Sequence, residues 1–459
     1  MTSIGLGMLL VATVLPAQPR PPEHSVFMGD IDTSVDPCTN FFDYSNGAWR
    51  KANPIPASMQ RWSRRWAAGE ENKNQLRELL DDEVKRNDWP RGSVDQQISD
   101  FYSACMDEEQ VNKLGAKPIE RLLKEIRSIE NRAGLQAMIA RLADLQISAP
   151  FGVGPSPDNH NPSAVIANVF ASGLGLPDRD YYVKPEKRFV DAREKYRTHI
   201  ARMFMLAGYG EESARKASDS VFALEKRLAA GQLDNVALRN PEATDHKLAV
   251  EALQKLTPHF DWNKYLDRSG IAPADLNVSE PKYMQAVDKE LLSTPLSTWK
   301  TYLTWNVINT AAPYLSTPIA TADFEFYGRY LNGAKEIKPR WKRCVEAEDK
   351  LLGEALGRRY VERYFPQEAK ARMQDLVKNL LSAMADSIRA LDWMSPETKT
   401  KALEKLTTFN PKVGYPDKWK DYSAVPISAD SHWQNVTAGL KFGTTNARTQ
   451  IGKPVDRGL

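Results

Sequence analysis

The feature that most constrains the fold is the spacing of apolar residues, which recurs at steps of three and four along much of the chain. Across 373–391, Met373, Leu376, Val377, Leu380, Leu381, Met384, Ile388 and Leu391 fall on one stripe of a helix, because 3.6 residues per turn returns every third or fourth side chain to the same side. Ser395 and Pro396 then supply an N-cap and a first-turn proline for another helix through Lys405. The rhythm repeats at Val94, Ile98, Phe101, Tyr102, Cys105 and Met106, and at Ile119, Leu122, Leu123, Ile126 and Ile129. Further helices are expected near 193–206, 214–228 and 342–364. One more, starting after Pro54 and Pro56, sets Trp62, Trp66, Leu76 and Leu80 near one face. Strand signals are sparse: 163–170 leans to β, while the Pro/Gly-rich stretches 150–162 and 173–185 read as loops. The expected class is mainly α, a large multi-helix lobe with few short strands, its helices too dispersed for a four-helix bundle.

Charge narrows the partners. With 62 Lys+Arg against 59 Asp+Glu in 459 residues, no surplus of cations is available to neutralise phosphates, so a dedicated nucleic-acid partner is not expected. The run from Ile4 to Leu15 is uncharged and mostly apolar, and Pro16, Ala17 and a Pro-rich polar stretch follow it. Too short to span a bilayer, it reads as a signal peptide cleaved near Ala17, although residues 1–3 carry no Lys or Arg. No other segment reads as a transmembrane helix. An exported location, periplasmic, extracellular or envelope-associated, would permit disulfides.

Catalytic signatures are missing from the 459 residues. Two zinc ligands on one helix face must be three or four residues apart, yet no two of the six histidines are closer than His246 and His259, thirteen positions apart. There is no Gly-x-Ser-x-Gly, no Gly-x-x-x-x-Gly-Lys-[Ser/Thr] and no Gly-x-Gly-x-x-Gly. Adjacency of Asp245 and His246 says little about triad geometry. The densest basic and aromatic stretch, Arg61-Trp62-Ser63-Arg64-Arg65-Trp66, reads as a helix with both tryptophans in the core and its arginines solvated and paired with the acidic run 70–83. One arginine could still recognise a ligand carboxylate. Cys105, on an apolar helix face, reads as a buried thiol, and the residues alone leave all three pairings of Cys38, Cys105 and Cys344 open.

An ordered set of segments resembles one family, the neprilysin-like zinc metallopeptidases. These are Asp36-Pro37-Cys38-Thr39-Asn40-Phe41-Phe42-Asp43-Tyr44, Asn53-Pro54-Ile55-Pro56, Phe101-Tyr102-Ser103-Ala104-Cys105-Met106, Leu176-Pro177-Asp178-Arg179-Asp180-Tyr181-Tyr182, Arg340-Trp341-Lys342-Arg343-Cys344 and Val413-Gly414-Tyr415-Pro416. The resemblance implies a helical N-terminal lobe that caps a catalytic domain and restricts entry to small peptides. Its implied layout is a signal at 1–17, a Pro-rich linker at 18–30, the helical domain at 31–420 and a linker at 421–459 toward a C-terminal catalytic domain. That domain, with its zinc and its His-Glu-x-x-His, is absent from these residues, so no catalytic or metal residue is assigned. The partners implied are the catalytic domain, in cis or in trans, and small peptides. The resemblance also pairs Cys105 with Cys344, leaves Cys38 for a cysteine in the absent domain, and places Arg61 where an arginine contacts the C-terminal side of substrate. The competing reading is a stand-alone, non-catalytic peptide-binding or interaction module of the same fold.

Overall fold

The structure, a computed structural model, describes residues 27–86 and 88–458. The expected signal peptide at 1–17 and most of the 18–30 linker lie outside them. The chain divides into two compact units after Trp66.

In the first unit a short 3-10 turn (Met28–Asp30) precedes helix α1 (Phe41–Ala52). The Asn40 side-chain oxygen caps α1 by accepting from Asp43 N at 3.1 Å. Gly47 must stay without a side chain, since a Cβ there would lie 2.8 Å from Asp32 Cβ. Helix α2 (Arg64–Lys85) starts in this unit and continues into the second. It begins later than expected, because Ser63 Oγ accepts from Trp66 N at 3.4 Å and sets the helix start there. Trp62 consequently precedes the helix and Trp66 is 40% exposed, so the expected core pair does not form. The residues that α2 buries are Leu79 and Leu80.

The second unit continues with α3 (Val94–Met106), α4 (Glu108–Leu114), α5 (Glu120–Arg127) and α6 (Arg132–Ala143), followed by strands β1 (Phe151–Asp158) and β2 (Asn161–Ala171). Next come α7 (Asp180–Val183), α8 (Lys187–Leu206), α9 (Glu211–Ala230), α10 (Pro241–Thr244), β3 (Lys247–Ala249), α11 (Val250–Leu256), α12 (Trp262–Arg268) and β4 (Asp275–Val278). The remaining helices are α13 (Pro281–Ser293), α14 (Leu296–Ala311), α15 (Thr317–Asp323), α16 (Arg340–Tyr364), α17 (Gln367–Ala390), α18 (Pro396–Thr407) and α19 (His432–Arg448). The mainly α class holds.

At the centre lies α14, which buries Trp299, Tyr302, Leu303, Trp305, Val307 and Ile308 around most of its circumference. A helix apolar all round needs neighbours all round, and α5, α6, α8 and α9 supply them. Truncating fully buried Trp305 to alanine would cost about 3–5 kcal/mol. The strands form one sheet in the order β1-β2-β4-β3, with β2 and β4 parallel and the other pairs antiparallel. The stretch 150–162, expected as a loop, is therefore mostly strand. β1 is an edge, and an edge tolerates Pro155 and Pro157 because one side of its backbone needs no donor.

Two further segments differ from expectation. Residues 432–448, inside the stretch expected as a linker, form α19, whose Trp433, Val436 and Leu440 are buried against α3, α16 and β1. Helix α17 forms over the predicted stripe but buries none of its residues. Met373, Leu376, Leu380 and Met384 are between 43% and 61% exposed among the described residues.

Candidate functional site

Within the first unit a cleft of about 620 Å³ is bounded by the last turns of α1, the Asn53-Pro54-Ile55 segment and the Arg61-Trp62 pair. Proline restricts the residue before it to extended backbone, so Asn53 leaves α1 at once and the segment becomes a wall rather than another turn of helix. Trp49 and Trp62 add aromatic surface. Two lining cations are already matched: Lys51 Nζ donates to Asp32 Oδ2 at 2.6 Å and Arg50 Nη1 to Asp43 Oδ1 at 2.5 Å. Hydrogen bonds from Lys51 and Ser34 hold the Asp32 carboxyl down at about 2, so it stays ionised and keeps Lys51. Arg61 is different. Its guanidinium lies 5.5 Å from the Trp66 ring centre, and it has no ion pair among the described residues. A planar fork held over an aromatic ring and free of a carboxylate can receive a carboxylate in two parallel hydrogen bonds.

Within the first unit the arginine-rich stretch finds a carboxylate of its own. Arg64 forks onto Asp30, with Nε to Oδ2 at 3.1 Å. Within the second unit the acidic run finds partners in its own turns and on α16: Glu70 with Lys73 at 2.7 Å, and Asp82 with Arg363 at 2.8 Å.

Cys105 on α3 and Cys344 on α16 are joined by a disulfide, while Cys38 is an exposed free thiol. The described histidines are dispersed. His160 Nε2 lies 3.1 Å from Asp245 Oδ2, His259 Nδ1 lies 2.8 Å from Asp288 Oδ2, and His246 Nδ1 lies 3.1 Å from Val278 O. Asp245 thus pairs with His160 and not with its sequence neighbour. His199 is buried and stacked on Phe326, and burial holds it near 3 and therefore neutral. Among the described residues no group of three or more His, Cys, Asp or Glu is placed to hold a metal, so these residues do not fit a zinc ion.

One buried polar cluster escaped the sequence reading. Glu225 accepts from Tyr182 Oη at 2.7 Å and from Tyr196 Oη at 3.0 Å, while Trp305 Nε1 donates to Tyr196 Oη at 2.9 Å. Its signal was present: a glutamate on the apolar face of 214–228, one turn from Val221 and beside Leu224. Each oxygen is satisfied, which makes this a packed core network.

Comparison with known proteins places the chain among peptidases. Residues 37–416 match peptidase family M13. The chain is 28% identical to endothelin-converting enzyme 1 of Rattus norvegicus, covering 94% of this chain and 59% of that protein. The Homo sapiens enzyme is 29% identical, with 94% and 58% covered. The chain thus spans just under three fifths of these relatives. Among solved structures, the inhibitor-bound zinc metalloprotease Zmp1 of Mycobacterium tuberculosis is similar with TM-score 0.86 and 33% identity, over 95% of this chain and 66% of that one. PepO of Lactobacillus rhamnosis shares the fold at TM-score 0.80 and 22% identity, over 91% of this chain and 66% of that one.

Proposed function

Because the chain belongs to peptidase family M13, we propose that it is the N-terminal, substrate-restricting lobe of a neprilysin-like zinc metalloendopeptidase that acts on small peptides. Hydrolysis in this reading depends on a catalytic segment outside these 459 residues, joined in the same polypeptide or supplied as a separate chain. The observation that carries the reading is the likeness to a zinc metalloprotease along 95% of this chain and 66% of the other. Support comes from the sequence, which holds no His-Glu-x-x-His, and from the described residues, which offer no donor set for zinc. The uncovered stripe of α17 supports a further polypeptide surface against it. Arg61 is the residue we assign to the substrate's terminal carboxylate, using the open fork described above. Export to an oxidising compartment fits the Cys105–Cys344 bridge, and Cys38 would find its partner in the catalytic segment.

The test uses the purified 459-residue protein and a panel of short peptides. No chelator-sensitive hydrolysis is expected, and zinc-dependent turnover would overturn the reading. Sequencing the DNA past codon 459 is the second arm. A His-Glu-x-x-His there, or at the start of an adjacent gene, supports the lobe; intergenic sequence with no such neighbour favours a stand-alone binding module.

A further inference from the structure

Helix α2 changes character along its length. From Leu76 onward, Leu76, Leu79, Leu80 and Val84 pack into the core of the second unit. From Ala67 to Gln75 the sequence reads Ala-Ala-Gly-Glu-Glu-Asn-Lys-Asn-Gln, with no apolar side chain larger than alanine and no residue buried. Helices in proteins are held mostly by packing an apolar face, and this half has none to pack.

What it has instead is a row of charges shared with α16 and the residues just before it. Lys342 Nζ donates to Glu70 Oε2, and Lys73 Nζ donates both to Glu70 Oε1 at 2.7 Å and to Glu346 Oε1 at 2.6 Å. Glu346 also accepts from Lys338 Nζ at 2.7 Å. The five charges alternate in sign, and their side chains are between 13% and 32% exposed. Tyr360 Oη adds a neutral contact, donating to Gln75 Oε1 at 2.8 Å. Ion pairs drawn out of water return much of their attraction as desolvation cost, so the seat is shallow. A second observation places a weak point in the same half. Gly69 lies inside the helix, where glycine loses more backbone freedom than any other residue. Packing does not call for it, since a Cβ there would meet nothing within 4 Å. It follows closely on Trp66, after which the chain divides into its two compact units.

We propose that Ala67–Gln75 is a strap fastened to α16 by its charge row, and that it detaches and unwinds as far as Leu76 when the row is screened or broken. Gly69 eases the unwinding, and the leucines beyond it hold the rest of α2 in place. Partial burial weakens screening, so release belongs near molar salt rather than at about 0.1 M. Ionic strength, or a competing charge, then sets how firmly the helical connection leading to the first unit is held. The proposal does not rest on the peptidase reading, since it uses neither Arg61 nor the cleft of the first unit.

Spin-label distances on the 459-residue protein test it, in a Cys38→Ser background that removes the exposed thiol. One pair joins the strap to α16, Ala68→Cys with Lys350→Cys; a control pair joins the anchored end to the same site, Lys85→Cys with Lys350→Cys. All three labelled positions are exposed. Between about 0.1 M and about 1 M NaCl the Debye length falls from about 10 Å to about 3 Å. Over that range the strap pair should gain a component longer by about 5 Å or more, a turn of helix, while the control pair stays put. Lys342→Gln should show the longer component already at low salt, and Lys73→Gln serves if that variant does not fold. Gly69→Ala should diminish it at high salt. A strap pair indifferent to salt, a control pair that lengthens equally, lysine variants that match the parent at low salt, or a Gly69→Ala protein that releases as readily would each overturn the proposal.

Discussion

Tyr182 Oη donates to Glu225 Oε2 at 2.7 Å in the core of the second unit, where neither side chain reaches water. Burial pushes the Glu225 carboxyl up to about 8 from an ordinary 4.5, against the opposing pull of the Tyr182 and Tyr196 hydroxyls. The folded state therefore binds this proton more tightly than the unfolded state does. Its contribution to stability is fully present below pH 4.5 and is lost as pH rises toward 8.

Glu225→Gln keeps an oxygen for the tyrosine hydroxyls and removes the ionisation. At pH 4.5 the variant and the parent should unfold at similar denaturant concentrations. At pH 8 the variant should be the more stable by on the order of a few kcal/mol. Urea melts across this range, read as the difference between the two proteins, check it; a difference independent of pH would show that Glu225 does not hold this proton.

The Cys105–Cys344 bridge spans 239 positions. Closing so long a loop restricts the unfolded chain, so the double variant Cys105→Ala, Cys344→Ala should lose about 2–5 kcal/mol. The same loss should follow when the parent is melted under reducing conditions, and adding reductant to the double variant should change nothing.

Arg61 carries a substrate-side prediction. In a polypeptide that includes the catalytic segment, Arg61→Ala should raise KM about tenfold for peptides with a free C-terminal carboxylate, the equivalent of one charge-assisted hydrogen bond of ~1.5 kcal/mol. Amidated peptides should show no change, and Arg61→Lys should fall between, because an ammonium lacks the fork. Equal effects on acid and amide would remove Arg61 from carboxylate recognition.

Along α17, Leu376 and Leu380 are 49% and 61% exposed in one stripe. An apolar strip of this kind drives association in water, so the 459-residue protein should self-associate at high concentration in sedimentation velocity. Leu376→Glu with Leu380→Glu should abolish the association and shift stability by no more than about 0.5 kcal/mol, as for other surface changes.

Much of the helical architecture was legible because periodicity survives wherever one face is buried and the other wet, as in α3 and α9. It was legible in α17 too, yet there the pattern reports a surface that no described residue covers; periodicity reveals that a face is apolar and not what covers it. β1 was read as a loop because Pro155 and Pro157 argue against a central strand, and edge position is a property of the sheet. Helix α19 was missed because Gly439, Gly443 and three threonines dilute the spacing of Trp433, Val436 and Leu440. As for the candidate site, an arginine able to recognise a carboxylate was legible in the stretch 61–66, its assignment to Arg61 came only from the family resemblance, and its place over the Trp66 ring needed the fold of the first unit. The place of Glu225 on an apolar helix face was legible, but its partners Tyr182 and Tyr196 come from other segments and needed the fold.

The position of α19 also governs when the surface between α3 and α16 can be closed during synthesis. Its Trp433, Val436 and Leu440 complete a surface made by α3 and α16, so a ribosome that has delivered 400 residues still holds a chain with that surface open. A core closed by a helix that lies hundreds of residues from its partners folds late, through contacts distant in sequence. Early termination before His432 would therefore release an incompletely closed, aggregation-prone body rather than a shorter stable one.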